Sequence, residues 1–201
     1  MEANPLKLAS HKLLTNVIFI LLAISGITSA CNNSSSTQTY RNYIKASCNS
    51  TTYPSICYRT LSPYALKIEA NPLKLCNVCL SLALKAAHSA SSTISKILKS
   101  NNLTSIEEQV VQDCFGDVKD SIGELKDSLD TMGHLTGTDR NFQISNIKTW
   151  VSASITNEET CSDEFDEMNV NATLRDKIRN IVLDVARKTS NALYFINHYT
   201  Y

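Results

Sequence analysis

The sequence predicts an all-α protein: an up-down-up-down four-helix bundle that follows an N-terminal α-helical hairpin and is stabilised by disulfides. Apolar residues recur at intervals of three and four, β-branched alternation is nearly absent, and only 5 of the 201 residues are glycine. Apolar side chains at that spacing form a stripe on one face of a helix, which is buried against other helices. The connections are short, which implies antiparallel neighbours and therefore a bundle.

Residues 1–30 have the pattern of a secretory signal peptide. Two lysines precede an apolar run over 13–27, and small residues fill 28–30. The run is shorter than the ~20 apolar residues of a membrane-spanning helix. We expect cleavage after Ala30, secretion, and no membrane association of the mature chain.

The mature chain carries N-glycosylation sequons, which agree with the secretory route. Two of the five are adjacent and cannot both be assumed to be occupied. The sequon asparagines are Asn32, Asn33, Asn49, Asn102 and Asn171.

The mature chain is nearly neutral. Residues 31–201 carry 17 basic and 18 acidic side chains, a net charge of −1, which argues against nucleic acid as a partner. The length suffices for one compact core. Residues 31–39 are rich in Asn, Ser and Thr and are predicted to be a flexible leader.

Residues 40–66 are predicted to form the helical hairpin. Pro54 lies between Cys48 and Cys57, and proline disfavours helix at the residue before it. Two short helical pieces would therefore turn between the cysteines. In an oxidising compartment such a close pair is expected to be bridged.

Residues 71–198 are predicted to form the bundle. Asn71 followed by Pro72 marks the first start, because asparagine caps helices and proline suits the first helical position. Asn171 precedes the last helix. The first stripe is Cys76, Cys79, Ala83, Ala87, Ala90, Ile94, Ile97 and Leu98, and the last is Leu174, Ile178, Ile181, Val185, Ala192, Leu193 and Ile196.

The two middle helices are predicted to form an αα-hairpin around a turn near residue 138, where Gly133, Gly137, Thr138 and Asp139 supply stop and turn residues. Cys114 lies 24 residues before that centre and Cys161 lies 23 after it. Equal distances from the turn mean equal heights in an antiparallel pair, so we expect a Cys114–Cys161 disulfide. The two stripes are Ile106, Val110, Val111, Cys114, Val118, Ile122, Leu125, Leu129 and Met132, and Ile144, Ile147, Val151, Ile155, Cys161, Phe165 and Met168.

Charge is distributed unevenly along the chain. Residues 107–167 carry 15 acidic and 4 basic side chains, whereas 31–106 have a net charge of +7 and 168–201 of +3. Adjacent helices could neutralise one another, which is ordinary surface design. Alternatively, an acidic face meets a basic partner and raises the association rate. Its members would be Asp113, Asp117, Asp120, Glu124 and Asp127.

No set of residues suggests catalysis, a metal or a cofactor. The acidic residues within 163–167 lack the spacing and the turn glycine of a calcium loop. The mature histidines, His88, His134 and His198, belong to no zinc-protease motif, and no serine elbow is present. We therefore predict a protein that is not an enzyme and that needs no cofactor.

Three cysteines lie outside the two predicted disulfides. Cys76-x-x-Cys79 has redox spacing, but its surroundings are helical and no second pair would complete a zinc site. The favoured interpretation is that both fill the bundle core as small apolar side chains, with a local disulfide as the alternative. Cys31, at the expected new N-terminus, could join two chains into a homodimer.

Several motifs are similar to the plant invertase/pectin methylesterase inhibitor family. They are the segment from Ser47 to Cys57, Asp113-Cys114, Thr149-Trp150-Val151-Ser152-Ala153, Thr156-Asn157, Thr160-Cys161 and Ser190-Asn191-Ala192-Leu193. The resemblance covers residues 40–198 and implies an inhibitor domain there, a hairpin on a four-helix bundle with bridges Cys48–Cys57 and Cys114–Cys161. It also implies an apoplastic protein that binds a cell-wall enzyme stoichiometrically.

The sequence resembles the pectin methylesterase inhibitor branch of that family most. Invertase inhibitors carry Pro-Lys-Phe before the third bundle helix, where this chain has Asp139-Arg140-Asn141-Phe142. The phenylalanine is present and the Pro-Lys pair is absent, which disfavours an invertase as the target. A cell-wall or vacuolar invertase remains the alternative target. We expect a 1:1 complex with pectin methylesterase that blocks its pectin-binding cleft, with contacts from Asp113, Asp117, Asp120, Glu124 and Phe142.

Two other classes of function remain as alternatives. An enzyme acting on pectin or a sugar ester would need a nucleophile and a base, and the sequence offers no such pair. A wall protein that binds pectin directly would need a basic stripe, for which the +7 of residues 31–106 is the candidate.

Overall fold

The computed structural model describes residues 35–100 and 102–199, and over these ranges it confirms the all-α prediction, with helices and no strand. The signal peptide predicted over 1–30 lies outside them. The N-terminal part comprises α1 (35–48), α2 (Pro54–Leu61), a 3-10 turn (Ser62–Tyr64) and the short α3 (Ala65–Ile68). The four long helices are α4 (Pro72–Leu98), α5 (Ser105–Gly133), α6 (Arg140–Glu167) and α7 (Ala172–Asn197).

The long helices close into a four-helix bundle. Each packs against two others, in the order α4, α5, α6, α7 and back to α4. Connections of only a few residues make neighbours antiparallel. The core between them consists of apolar side chains from all four helices, with alanines 83, 87 and 90 of α4 fully buried. The predicted architecture is therefore confirmed.

Side chains and backbone bonds fix the helix starts. The Asn71 Oδ1 atom accepts from the Lys74 N–H at 3.0 Å, as the Asn-Pro pair predicts. Asn171 Oδ1 accepts from the N–H groups of Thr173 at 2.9 Å and Leu174 at 3.4 Å. Both caps satisfy donors that the first helical turn leaves unpaired.

The start of α5 uses a reciprocal cap that the sequence analysis missed. Thr104 accepts from the Glu107 N–H at 3.3 Å, and the Glu107 carboxylate accepts from the Thr104 N–H at 2.9 Å. The other oxygen of Glu107 accepts from the Asn171 N–H at 3.0 Å, across the bundle. Glu107 thus joins the start of α5 to the start of α7, and these N–H donors lower the pKa of its carboxyl group.

Two members of the predicted stripes are not in the core. The exposed fraction is 54% for Ile106 and 49% for Met168. Glu107 takes the inward position in the first turn of α5, which leaves Ile106 on the solvent side, and Met168 lies just after the end of α6. These two predictions were wrong because periodicity alone does not show where a helix stops being covered.

The N-terminal hairpin is closed by the Cys48–Cys57 disulfide, with Cα atoms 5.6 Å apart, which confirms the predicted pairing. Residues 35–39, predicted to be part of a flexible leader, are instead helical and belong to α1; residues 31–34 lie outside the described ranges. Within this helix the Thr39 hydroxyl donates to the Ser35 carbonyl, one turn earlier, at 3.1 Å.

One buried side chain ties the hairpin to the bundle. Asn191 of α7 is 1% exposed, and its amide binds the backbone of Tyr53 at both ends. The Tyr53 N–H donates to Asn191 Oδ1 and the Asn191 Nδ2 group donates to the Tyr53 carbonyl, each at 3.1 Å. Arg187 lies over the Tyr53 ring at 6.0 Å from its centroid. The amide is the correct group here because it offers a donor and an acceptor together.

The remaining cysteines have different outcomes. Cys76 and Cys79 are free and buried, which confirms that they fill the core and excludes the local disulfide between them. Burial raises the pKa of the Cys76 thiol to about 12 and that of Cys79 further, so both are unreactive. Cys31 lies outside the described residues, so the homodimer that it could form stays a prediction.

We predict that Asn191→Ala lowers the free energy of unfolding by about 1–3 kcal/mol, because it removes both hydrogen bonds to the Tyr53 backbone and leaves the Tyr53 N–H without its acceptor, while the Tyr53 carbonyl keeps its bond from the Cys57 N–H. Urea unfolding monitored by circular dichroism measures this. Asn180→Ala, an exposed asparagine on the same helix, is the matched control and should change stability by less than about 0.5 kcal/mol. Equal stability of the two variants would contradict the role given to Asn191.

Candidate functional site: the acidic groove between α5 and α6

The register of α5 against α6 is fixed at two points. The Cys114–Cys161 disulfide joins the helices with Cα atoms 4.6 Å apart, as the sequence predicts. The second point is a hydrogen bond of 3.1 Å from the Ser121 hydroxyl to the Ser154 carbonyl. Ser121 lies seven residues after Cys114 on α5, and Ser154 lies seven residues before Cys161 on α6. Ser121 and Ser154 are fully buried, and such small side chains let the helices approach closely.

The predicted acidic residues of α5 divide into two groups. Asp113, Asp120 and Asp127 are exposed. Asp117 and Glu124 are half-buried and lie on the side of α5 that faces α6, since the Asn157 amide of α6 donates to the Glu124 carboxylate at 3.1 Å. We call the cleft between the two helices at this height the acidic groove.

A third carboxylate of the groove, Glu158 of α6, was missed by the sequence analysis. Glu158 is 0% exposed, and neither of its carboxylate oxygens has a hydrogen-bond partner among the described residues. Glu158 continues the helical spacing of Val151, Ser154 and Cys161, so this spacing places Glu158 on the buried side of α6. A charged residue in a stripe is easily passed over as surface.

The electrostatics of the groove favour protonated carboxyl groups. Burial raises the pKa of Glu158 to about 8; contact with the Ser121 hydroxyl opposes this rise, while Asp117 and Glu124 add to it. Burial, followed by repulsion from Asp120, raises the pKa of Glu124 to about 7. Asp117 and Glu164 shift in the same direction, again chiefly through burial. A low-dielectric site penalises the charged form, and neighbouring carboxylates increase that penalty.

Exposed apolar side chains lie at both ends of the α5–α6 pair. Phe142 is 69% exposed at the start of α6, and Ile106 and Met168 lie at the opposite end. Since Phe142 and Met168 are 26 residues apart, the face is about 39 Å long at 1.5 Å per residue. These three side chains mark the two ends of the face and do not form a continuous apolar patch.

The described residues offer no catalytic or metal-binding arrangement. No group of His, Cys, Asp or Glu within 35–100 and 102–199 could hold a metal ion. In the acidic end of α6, Asp166 pairs with Arg179 of α7 at 2.9 Å. The ring nitrogens of His134 and His198 each lie 2.8 Å from a backbone carbonyl of their own helix. No helix in the described part of the chain is long and apolar enough to cross a membrane.

A disulfide-locked helical bundle with one acidic, apolar-ended face is the kind of protein that acts through its surface. The sequence matches that of the Plant invertase/pectin methylesterase inhibitor family over residues 42–195, and the chain belongs to this family. This match confirms the family that the sequence motifs resemble, and with it the expected fold and inhibitor class.

The similar proteins point to one branch of the family. The chain is 42% identical to Pectinesterase inhibitor 10 of Arabidopsis thaliana over 82% of its own length and 53% of that protein, so it spans about half of that relative. It is 36% identical to Pectinesterase inhibitor 4 of the same plant, over 81% and 83% of the two chains. The crystal structure of a mutant pectin methylesterase inhibitor from Arabidopsis shares the fold, with a TM-score of 0.63 at 17% identity over 76% and 94% of the chains.

We predict that the buried Glu158 makes the protein less stable as the pH rises. When folding raises the pKa of a carboxyl group, its stabilising contribution is complete below its ordinary pKa of 4.5 and is lost as the pH rises through about 8. Within that window the slope approaches roughly 1.4 kcal/mol per pH unit. Glu158→Gln should therefore be more stable than the natural chain at pH 8 and similar to it at pH 5.

Urea unfolding at pH 5, 6, 7 and 8 tests this expectation. Glu159→Gln changes an exposed neighbour by the same chemistry and should retain the pH dependence of the natural chain. If Glu158→Gln followed the same pH profile as Glu159→Gln, the assignment of a proton to the buried carboxyl group would be wrong.

Proposed function

We propose that this protein inhibits a pectin methylesterase by forming a 1:1 complex in which the α5–α6 face covers the cleft of the enzyme that binds pectin. The observation that carries the proposal is the acidic groove between two helices locked by a disulfide. The protein performs no chemistry on the substrate and acts by preventing substrate entry.

Rigidity makes such a face effective. The disulfide and the Ser121–Ser154 hydrogen bond hold α5 and α6 at one relative height before binding. Little conformational entropy is then lost when the face meets a partner, so more of the contact energy appears as affinity. A face about 39 Å long can contribute to an interface of standard size, on the order of 1,600 Å² in total.

The exposed side chains suggest how the partner is recognised. Asp113 and Asp120 are solvent-exposed on α5 and can meet basic groups of an enzyme. Phe142 offers an apolar anchor at the turn end of the face. Asp117 and Glu124 are half-buried in the groove and have raised pKa values, so they carry less negative charge than the exposed aspartates and offer less surface for direct contact. Charge of this kind chiefly raises the association rate.

The target class follows from the branch of the family. The relatives described above are named as pectinesterase inhibitors. Invertase inhibitors carry Pro-Lys-Phe before the third bundle helix. At that position this chain has Asp139, followed by the first turn of α6, which consists of Arg140, Asn141 and Phe142. We therefore favour the esterase over a cell-wall or vacuolar invertase.

The proposed site of action is the apoplast, reached through cleavage of the signal peptide after Ala30. The sequon residues Asn49, Asn102 and Asn171 are exposed, which N-glycosylation requires, and Asn32 and Asn33 lie outside the described residues. At Asn171 the Oδ1 atom is used in the helix cap, which leaves Nδ2, the atom that a glycan would occupy, free of the cap.

Titration of a purified pectin methylesterase and a purified invertase with the mature protein tests the target. We expect esterase activity to fall to its limit near one equivalent, with invertase activity unchanged. Loss of invertase activity alone would reverse the choice of target, and loss of neither would remove the proposed function.

A charge variant tests the face. Asp113→Asn combined with Asp120→Asn should slow association with the esterase about tenfold at low salt, and the difference should shrink as salt screens the charges. Glu69→Gln combined with Asp176→Asn removes the same charge from exposed positions outside α5 and α6 and should leave the rate within about twofold. Equal rates for the two double variants would argue for a different contact surface.

A further inference from the structure

We propose that the side of the bundle formed by α4 and α7 holds a binding groove for a polyanionic chain of uronic acids. This groove is distinct from the acidic groove, because α4 and α7 pack against each other on the other side of the four-helix ring. The identity of the polyanion rests on the proposed function, since an esterase that acts on pectin leaves carboxylate groups on its product.

Two adjacent cavities make up this groove. The first, of about 660 Å³, lies beneath the N-terminal hairpin and is lined by residues of α4, α7 and the Thr60–Tyr64 region. The second, of about 630 Å³, continues towards the start of α7. Thr93 of α4 lines both cavities, so they adjoin along the seam, and we call the two together the channel.

Lysines line the channel in two opposed pairs. Lys85 and Lys188 line the first cavity, and Lys96 and Lys177 line the second. In each helix the two lysines are 11 residues apart, which is three full turns and brings both side chains to one face. The pairs are therefore about 16 Å apart along the channel. A linear chain of several carboxylated sugars fits this pattern better than a compact anion does.

Three of the four channel lysines are available for a ligand, whereas Lys188 and the acidic groups of the channel are already engaged. Within the described ranges, no carboxylate lies within ion-pair distance of Lys85, Lys96 or Lys177. Asp184 is the carboxylate of the first cavity and pairs with Lys188. Glu107 is the carboxylate of the second and accepts from Thr104 and Asn171.

The wider charge pattern supports the same ligand. Residues 31–106 and 168–201, which include α4 and α7, have net charges of +7 and +3. A basic surface around a channel concentrates a polyanion there. Polar side chains such as Ser89 and Asn180 line the first cavity and can bind sugar hydroxyls. The molecule would thus present one face to the enzyme and the opposite face to the charged product.

Isothermal titration of the mature protein with de-esterified oligogalacturonate, in the absence of any enzyme, tests this proposal. We expect binding that weakens with salt, and none to a fully methyl-esterified oligomer of equal length, which carries no charge. Lys96→Gln combined with Lys177→Gln should weaken binding about tenfold, through the loss of two charge contacts. Lys45→Gln combined with Lys67→Gln removes the same charge outside the channel and should not.

Three results would overturn the proposal: no binding of the de-esterified oligomer, equal binding of the esterified one, or equal loss in the two double variants. Binding of DNA as strong as that of the oligogalacturonate would also overturn it, because the site would then select charge alone. Inhibition of the esterase is measured on the same samples and should be unchanged in both variants. A failure of inhibition would concern the proposed function, whereas a failure of binding would concern only the channel.

Asn102 and Asn171 line the second cavity and are sequon residues. Glycans attached there would stand at that end of the channel. Removing the glycans enzymatically should therefore strengthen oligogalacturonate binding or leave it unchanged. A loss of binding after removal would mean that the glycans, and not the lysines, hold the ligand.

Discussion

The Cys114–Cys161 disulfide is the constraint on which the rest of the site depends. It closes a loop of 47 residues, and the chain-entropy model gives roughly 4 kcal/mol of stabilisation for a loop of that length. Its more specific effect is to set the height of α6 against α5. Once that height is fixed, Ser121 meets the Ser154 carbonyl, Asn157 meets Glu124, and Glu158 lies among the carboxylates of α5. A slide of one turn would break these contacts together.

The carboxyl groups of this protein respond to pH in opposite directions. Glu107 is bound by N–H donors that lower its pKa, so its contribution is present at higher pH and is lost as the pH falls through the lowered value. Glu158 is buried, and the nearby Ser121 hydroxyl offsets only part of the effect of burial, so its contribution is present at low pH and lost as the pH rises. The two dependences together favour a stability maximum on the acidic side of neutrality. Glu107 holds the ends of helices together, whereas Glu158 lies under the face that we assign to binding.

The helices, their order and both disulfides could be predicted from the sequence because they depend on local spacing and on distances from turns. The contacts between distant parts of the chain could not. Asn191 binds Tyr53 across 138 residues, and no local pattern pairs an asparagine in a helix with a backbone turn so far away. Glu158 was missed because stripes are recognised from their apolar residues, and a carboxylate at a stripe position breaks that pattern. Such exceptions to the pattern are expected at functional sites. The exposed positions of Ile106 and Met168 depend on where the neighbouring helices end, which periodicity does not encode.

Hydrogen–deuterium exchange on the protein alone and in complex with a pectin methylesterase tests the central claim most directly. Our account predicts new protection of the exposed amides and helix ends of α5 and α6, with α4 and the N-terminal hairpin unchanged. Protection confined to α4, α7 or the hairpin, with α5 and α6 exchanging as in the free protein, would contradict it.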